Sequence, residues 1–374
     1  MIKVLNIVTD TNIGGAGRLL IQYLRRFDRE KFDIAVAVPS GSALIPLITG
    51  EGYRVIETEK SHDRSWEKGA VGEYRRIIKA EKPDIVHTHS SLSGRVAAKL
   101  CGVRSRIYTR HCDFEPSAKL TSFPGKQVNG LMNRVLSTKI IAVSHPAADT
   151  LVRTGIPREM ISVIINGVEP VREMSPEERL AFREKLGIGA DEFVCLYSAR
   201  LEDYKGHSYL IDTAKEVCDT LAGERRVRFV LMGDGTVRGE LEEKVCSLAL
   251  TEDVLFTGFA DDVAPYVNVC DLNLNCSWGS ETSSLALSEG FSLAKPAVAT
   301  DVGGNSYMVT DGVNGYVVPK RDSHAMAEAI IKIARDAELY GRLSEGAKAE
   351  YEAKFTSAAM VRTLEEIYEK EAAR

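Results

Sequence analysis

Short β-branched runs alternate with longer helical patterns along nearly the whole chain, and the alternation starts twice. The first series of strand candidates is "VLNIVT" (4–9), "FDIAVAV" (32–38), "YRVIET" (53–58), "DIVHTH" (84–89), "SRIYTR" (105–110), "KIIAVS" (139–144) and "ISVII" (161–165). The second is "EFVCLYSA" (192–199), "RVRFVLMG" (226–233), "VLFTGF" (254–259), "LNLNCS" (272–277), "AVAT" (297–300) and "GYVVP" (315–319). Brief apolar runs separated by room for a helix are the pattern of parallel sheets with crossover helices on their faces. Between the two series lies "NGVEPVREMSPEERLAFREKLGIGADE", polar, charged and proline-bearing, which reads as a linker followed by the entry helix of a second domain. From Asp322 onward the chain is helical and amphipathic, without another strand. No period of 20–50 residues recurs, which excludes a solenoid.

A chain of 374 residues also exceeds what one compact core usually holds. The expected fold is therefore α/β, with two Rossmann-like doubly wound parallel-sheet domains over residues 1–170 and 171–355 and a last helical segment over 356–374. A ligand shared by two such sheets belongs in the cleft facing the carboxyl ends of both sets of strands.

Composition removes several function classes. A formal charge of −5 argues against general nucleic-acid affinity, and 44% hydrophobic with 27% charged residues is ordinary for a soluble globular protein. No apolar run approaches the roughly 20 residues that span a bilayer. The opening "MIKVLNIVTD" passes straight into a glycine loop and reads as a first strand, not a signal peptide. Seven cysteines (Cys101, Cys112, Cys195, Cys218, Cys246, Cys270, Cys276) are odd in number and lack C-x-x-C spacing, so reduced thiols in a cytoplasmic protein are expected.

The stretch "SETSSLALSEGF" (280–291) carries the sharpest chemical signal. If a helix begins near Ser283, Glu281 lies just outside its first turn and Glu289 almost two turns in, roughly 10 Å away. That spacing is too wide for one shared proton or metal. It suits the two ends of an extended polar ligand whose anionic middle faces the helix N-terminus, and a nucleotide sugar has that shape.

Other segments are less decisive alone. In "DTNIGGAGR" (10–18), Gly14 and Gly15 join the first strand to the first helix, where a tight turn and an anion-binding loop fit equally. The loop is not a full G-x-G-x-x-G, and no acid ends the next strand, which disfavours a nicotinamide-dependent oxidoreductase. "YSARLEDYKGHSYL" (197–210) places Arg200 and Lys205 after the second domain's first strand, as a departing diphosphate would require. "LMGDGTVRGEL" (231–241), with Gly233, and "LFTGF" (255–259), with Phe259, end strands on glycine, either for close approach of a base or ribose or as ordinary turns. His87 and His89 alternate on one face of a strand end with no third ligand nearby, so a packed or solvated pair is favoured over a metal site. His111, in "YTRHCDF", ends another strand; alone, such a histidine is more often structural than catalytic. Asp261 and Asp262 suit a helix N-cap better than a metal pair.

Taken in order, the glycine loop, late-strand histidine, "NGV", Arg-x4-Lys, "GDG", "TGF", Glu-x7-Glu and "GGNSYMVTDGVNGYVV" resemble glycosyltransferase family 4, retaining enzymes of the two-Rossmann GT-B fold. The resemblance implies that Arg200 and Lys205 clamp the donor diphosphate, that Glu281 meets donor-sugar hydroxyls, and that Glu289 holds the ribose. It implies further that the backbone of Ser283, Ser284 and Leu285 faces sugar and phosphate, and that His111 contacts the transferring sugar. Gly14, Gly15 and Gly233 would line the donor cleft, Phe259 would border the base, and the final helix would cross back to the first domain. Where family members commonly follow the first glutamate with glycine and an aromatic residue, this chain has "ETSS", whose hydroxyls would add contacts to the sugar or narrow its pocket.

The implied reaction is retaining transfer of a hexose or N-acetylhexosamine from a nucleotide diphosphate sugar to an acceptor hydroxyl, in cell-surface glycan or glycolipid synthesis. No cofactor and no metal are expected, because cations and a helix N-terminus already supply the positive charge. The rivals are a sugar-nucleotide epimerase of the same fold and a non-catalytic nucleotide-sugar-binding protein. For the acceptor, a glycan or lipid-linked molecule, residues 104–139 carry Arg104, Arg106, Arg110, Lys119, Lys126, Arg134 and Lys139 against Asp113 and Glu115. Phe114, Leu120, Phe123, Leu131 and Met132 interleave without a clean period. This segment suits an anionic membrane, with a cytoplasmic protein held peripherally at the inner face of the plasma membrane; a solvated basic face over an ordinary core helix is the alternative.

Overall fold

The structure is a computed structural model that describes residues 1–111 and 115–374. Cys112 of the cysteine set, and Asp113 and Phe114 of the basic segment, lie outside the described residues. The chain forms two units, one of Met1–Gly167 together with Ser357–Arg374, the other of Val168–Thr356.

In the first unit the strands are β1 (Ile2–Val8), β2 (Phe32–Pro39), β3 (Arg54–Thr58), β4 (Ile85–His89), β5 (Ser105–Arg110), β6 (Lys139–Ala142) and β7 (Ile161–Val163). They form one parallel sheet in the order β3-β2-β1-β4-β5-β6-β7, so the strand order reverses between β1 and β4. Side chains alternate across this sheet as the strand period of two requires. Val4 and Val8 join Leu19, Tyr23 and Leu24 of the Gly15–Arg26 helix on one face, whereas Leu5 and Ile7 join Tyr74, Ile78 and Ala97 on the other. The Ser357–Ala372 helix belongs to the first of these cores through Met360, Val361, Leu364 and Tyr368, and the expected return of the chain's last helix to the first sheet is met.

The second unit holds β8 (Phe193–Ser198), β9 (Val227–Met232), β10 (Val254–Gly258), β11 (Leu272–Asn275), β12 (Ala297–Thr300) and β13 (Gly315–Val318). Their order, β10-β9-β8-β11-β12-β13, repeats that of the first six strands of the other unit, again parallel throughout. Its entry helix, Pro176–Lys185, starts on a capping box in which Ser175 and Glu178 each bond the other's backbone. Reversal of strand order between β8 and β11 opens a crevice at their carboxyl ends, the usual ligand position in sheets of this kind.

Two local expectations shift. The helix after β10 is Ala264–Val269 with Val263, not an aspartate, at its N-cap; Asp262, one residue earlier, accepts the Ala264 N–H at 2.9 Å and so serves the helix start from just outside it. The strand at 139–144 stops at Ala142, because Ser144 turns to cap the His145–Arg153 helix by accepting from Ala147 N. Among the described residues, no helix is long and apolar enough to cross a membrane.

Candidate active site

Because β8 and β11 are neighbours, the loops leaving their carboxyl ends run side by side, and this brings together two residues 76 positions apart. Lys205 Nζ lies 2.8 Å from Glu281 Oε2, with both side chains largely buried (16% and 12% exposed). Ser277 Oγ donates to the same carboxylate oxygen at 2.9 Å. Underneath, the Tyr197 hydroxyl donates to the Lys205 carbonyl at 2.8 Å, and the Trp278 backbone and indole N–H groups donate to the carbonyls of Tyr204 and Asp203. Burial lifts the Tyr197 phenol well above its ordinary range, so it stays a neutral donor. Arg200 leaves the end of β8 exposed, its Nη2 donating to the Tyr204 hydroxyl at 2.8 Å. One small region thus holds an exposed guanidinium, an ammonium and a carboxylate, on backbone fixed from both strands.

The second glutamate sits on the Leu285–Ser292 helix, which begins one residue beyond the N-cap Ser284. Ser284 Oγ accepts from Leu287 N at 3.3 Å. That bond uses one lone pair for the helix start and leaves the Ser284 O–H free to donate, while among the described residues Ser283 Oγ is buried without a hydrogen-bond partner. The approach to this helix is set by Gly303 and Gly304. A Cβ on the first would overlap the Glu281 carbonyl and on the second the Thr282 carbonyl, while Gly304 N donates to Glu281 O at 3.0 Å. The "GG" of the sequence therefore places the Glu281 loop by backbone-on-backbone packing.

The candidate glycines divide in two. Gly233 (φ +144°) presses against the Ala199 carbonyl, where a Cβ would overlap it, and Gly233 N donates to Gly258 O at 2.9 Å. Its lack of a side chain is thus explained by its own chain. Around Gly14 and Gly15, at the start of the Gly15–Arg26 helix, no described atom beyond their chain neighbours and own helix backbone lies within 4 Å of an added Cβ and neither residue has a positive φ, so no contact among the described residues accounts for them. Phe259, just past β10, is 64% exposed.

In the first unit the carboxyl ends of β4 and β5 carry imidazoles. His87 is fully buried between the Tyr368 hydroxyl and the Thr109 hydroxyl, both at 2.6 Å. His89 sits between Asn6 Oδ1 at 3.1 Å and His111 Nε2 at 2.8 Å. Burial drives His87 down to about 3, His111 to about 4, and His89 well below its ordinary value, with neighbouring imidazoles adding repulsion for the first and last named. All three are neutral at physiological pH. Since Asn6 Oδ1 only accepts, His89 donates from Nε2 and receives from His111 Nε2–H at Nδ1. The packed reading of His87 and His89 holds, and among the described residues no group of three or more His, Cys, Asp or Glu side chains is disposed to hold a metal.

Sequence reasoning missed Ser277, Tyr197 and Tyr204 as supports, and it assigned Lys205 and Glu281 to separate parts of a ligand without seeing that they meet. No local pattern signals that contact, which follows from β8 and β11 becoming neighbours so that the loops after them lie together.

The chain matches the family model described as Glycosyltransferase Family 4 over residues 13–172 and that described as Glycosyl transferases group 1 over residues 192–336. It is 24% identical to the UDP-Gal:alpha-D-GlcNAc-diphosphoundecaprenol alpha-1,3-galactosyltransferase of Escherichia coli, over 90% of this chain and 88% of that one. It is 26% identical to the alpha-monoglucosyldiacylglycerol synthase of Acholeplasma laidlawii, over 74% of this chain and 73% of the other. The crystal structure of Anabaena HepE in complex with UDP superposes with a TM-score of 0.85 at 22% identity, covering 99% of this chain and 100% of that one. Two consecutive family matches that together span most of the chain, glycosyltransferase relatives matched over 88% and 73% of their own length, and two parallel sheets of the GT-B fold agree, and the chain belongs to the glycosyltransferases of family 4.

Proposed function

We propose that this glycosyltransferase moves a hexose or N-acetylhexosamine, with retention, from a nucleoside diphosphate sugar to the hydroxyl of a glycan or lipid-linked acceptor in cell-surface glycan or glycolipid synthesis. The observation that carries the reading is the Lys205–Glu281 pair at the carboxyl ends of β8 and β11, beside the N-terminus of the Leu285–Ser292 helix. Lys205 and Arg200 would take the diphosphate; Glu281, released from Lys205, would receive sugar hydroxyls; Glu289 would hold the ribose and Phe259 would border the base. His111 would meet the transferring sugar, and Gly14 and Gly15, whose surroundings are open, would leave room for it. A uridine nucleotide is supported by HepE, solved with UDP and with UDP-glucose, and a lipid-linked acceptor by the names of the Escherichia coli and Acholeplasma relatives.

In the step itself the anomeric carbon–phosphate oxygen bond breaks while the acceptor oxygen bonds the same carbon from the same face, and the acceptor proton passes to the departing phosphate. Cationic side chains and helix N–H groups stabilise that phosphate, without a metal. With Glu289 committed to the ribose, the two glutamates would not form the acid–nucleophile pair of a glycosidase. A thermal-shift screen against nucleotide sugars tests the donor, since a ligand at a hundred times its Kd adds about 2.7 kcal/mol. The anomeric configuration of the product, read by NMR, then tests retention: an inverted product, or no stabilisation by any nucleotide sugar, rejects the proposal.

A further inference from the structure

The Gly125–Leu136 helix is built inside out. Apart from Leu136 at its last turn, its inward side is polar or bare: Asn133 is buried, accepting from Arg95 Nη1 at 2.7 Å, Asn129 Nδ2 donates to the Thr154 carbonyl at 2.7 Å, and Gly130 lies against the Gly155 carbonyl. Its outward side is a stripe of Val128, Leu131, Met132 and Val135, at spacings of three, four and seven, all exposed, with Leu131 65% and Val128 64% accessible. Helices of globular proteins turn such a stripe to the core; here water faces it. Phe123, 82% exposed, and Leu120 on the preceding turn extend the same apolar surface. Monomeric proteins seldom leave a contiguous patch of this kind uncovered.

The charge around the stripe has one sign. From Pro116 to Ala148 the sequence contains no Asp or Glu, while Lys119 and Arg134 are exposed, Lys126 half-buried, and none of the three forms an ion pair among the described residues. The nearest described acid in sequence, Glu115, is neutralised by two bonds from Arg153, at 2.8 and 3.0 Å. Two members of the basic set drop out, because Arg106 caps the helix by donating to the Leu136 carbonyl at 3.1 Å and Lys139 Nζ turns to the Glu159 carbonyl at 3.4 Å. We infer that this helix and the turn before it dock on a bilayer carrying anionic headgroups, with the Val128–Leu131–Met132–Val135 stripe and Phe123 at the acyl boundary and Lys119 and Arg134 among the phosphates. A second copy is a poorer occupant, since a two-fold interface on this patch would set its cations against themselves. The inference names the surface from which a lipid-linked acceptor would arrive, and it rests on the proposed function for that link alone.

Co-sedimentation of the full chain with phosphatidylglycerol–phosphatidylcholine vesicles, against phosphatidylcholine alone, tests it. Binding should rise with phosphatidylglycerol and fall with salt. Leu131→Gln with Phe123→Ser should weaken it about tenfold, and Lys119→Gln with Arg134→Gln by a similar factor. All of these positions are exposed, and unchanged circular dichroism and unchanged stabilisation by UDP-sugar confirm that each variant is folded. No lipid-dependent pelleting, or equal pelleting of wild type and the apolar variant, overturns the inference. So does a dimer in sedimentation velocity that the apolar variant abolishes, which would assign the patch to a second copy. Loss of nucleotide-sugar stabilisation with lipid binding intact would instead strike the proposed function.

Discussion

The two units share a strand order and differ in what they place at the carboxyl ends of their central strands. β4 and β5 end in neutral imidazoles held by hydroxyls and an amide, whereas β8 and β11 end in an ammonium, a carboxylate and a nearby guanidinium. Identical topology therefore sets only where a ligand goes; the polarity it meets is decided by a handful of loop residues. A charged leaving group calls for the second arrangement, and a neutral reactant tolerates the first.

The largest expected effect breaks the charged side. Arg200→Ala and Lys205→Ala should each lower turnover about a hundredfold, the usual consequence of losing a contact worth about 3 kcal/mol to a developing oxyanion. Lys205→Met should also lower the Tm, because it strands a largely buried carboxylate, and Glu281→Gln in the same chain should recover part of that loss. Near-normal kcat in both single variants would end the assignment of charge to chemistry on this side.

Next comes acid. Of the first unit's five histidines, the clustered His87, His89 and His111 have folded pKa values below the unfolded value of about 6.5, at about 3 for His87 and about 4 for His111, so the unfolded state binds more protons in between. Their contribution is complete above pH 6.5 and drains as pH falls toward the folded values, by about 2 kcal/mol at pH 5 for His87 and for His111 taken singly. The second unit has one comparable histidine, His207, at about 3. Hydrogen exchange between pH 7 and 5 should show β4 and β5 losing protection before β8 and β9; simultaneous loss would remove this distinction.

Within the charged unit a smaller effect separates the glutamates. Glu289→Ala should weaken nucleoside diphosphate and intact donor alike, by about tenfold, whereas Glu281→Ala should weaken mainly the intact donor. Calorimetry with both ligands decides, and equal losses in the two variants would undo the division of labour. The smallest expected effect is none: chelator should leave turnover unchanged, and activity restored only by manganese or magnesium would mean that the cationic side chains do not suffice.

How much of this could be read from the chain depends on the range of each interaction. Strands were legible because runs such as "FDIAVAV" and "RVRFVLMG" are buried on both faces, and Glu289 was legible because a helix start fixes the positions of the next two turns. The meeting of Lys205 and Glu281 was not, because it depends on which strands become neighbours. The bond from Leu287 N to Ser284 Oγ and the packing of Gly233 on the Ala199 carbonyl were likewise not legible, because each depends on how the backbone turns locally. The helix at 125–136 hid its period for the opposite reason: its inward side is mostly asparagine and glycine, with Leu136 alone apolar, so the apolar residues looked scattered until their common face was seen.

The Ser357–Ala372 helix has a consequence for how the protein is made. The first unit emerges first from the ribosome but lacks Met360, Leu364 and Tyr368, the side chains that cover Leu19, Phe27 and Phe32 and complete the hydrogen bonding of His87. The second unit, contiguous in sequence, has everything it needs before residue 357 is added. The half of the molecule translated first is thus the half that finishes folding last, and a nascent chain carries an open apolar face on its first sheet until residues 357–372 have left the ribosome.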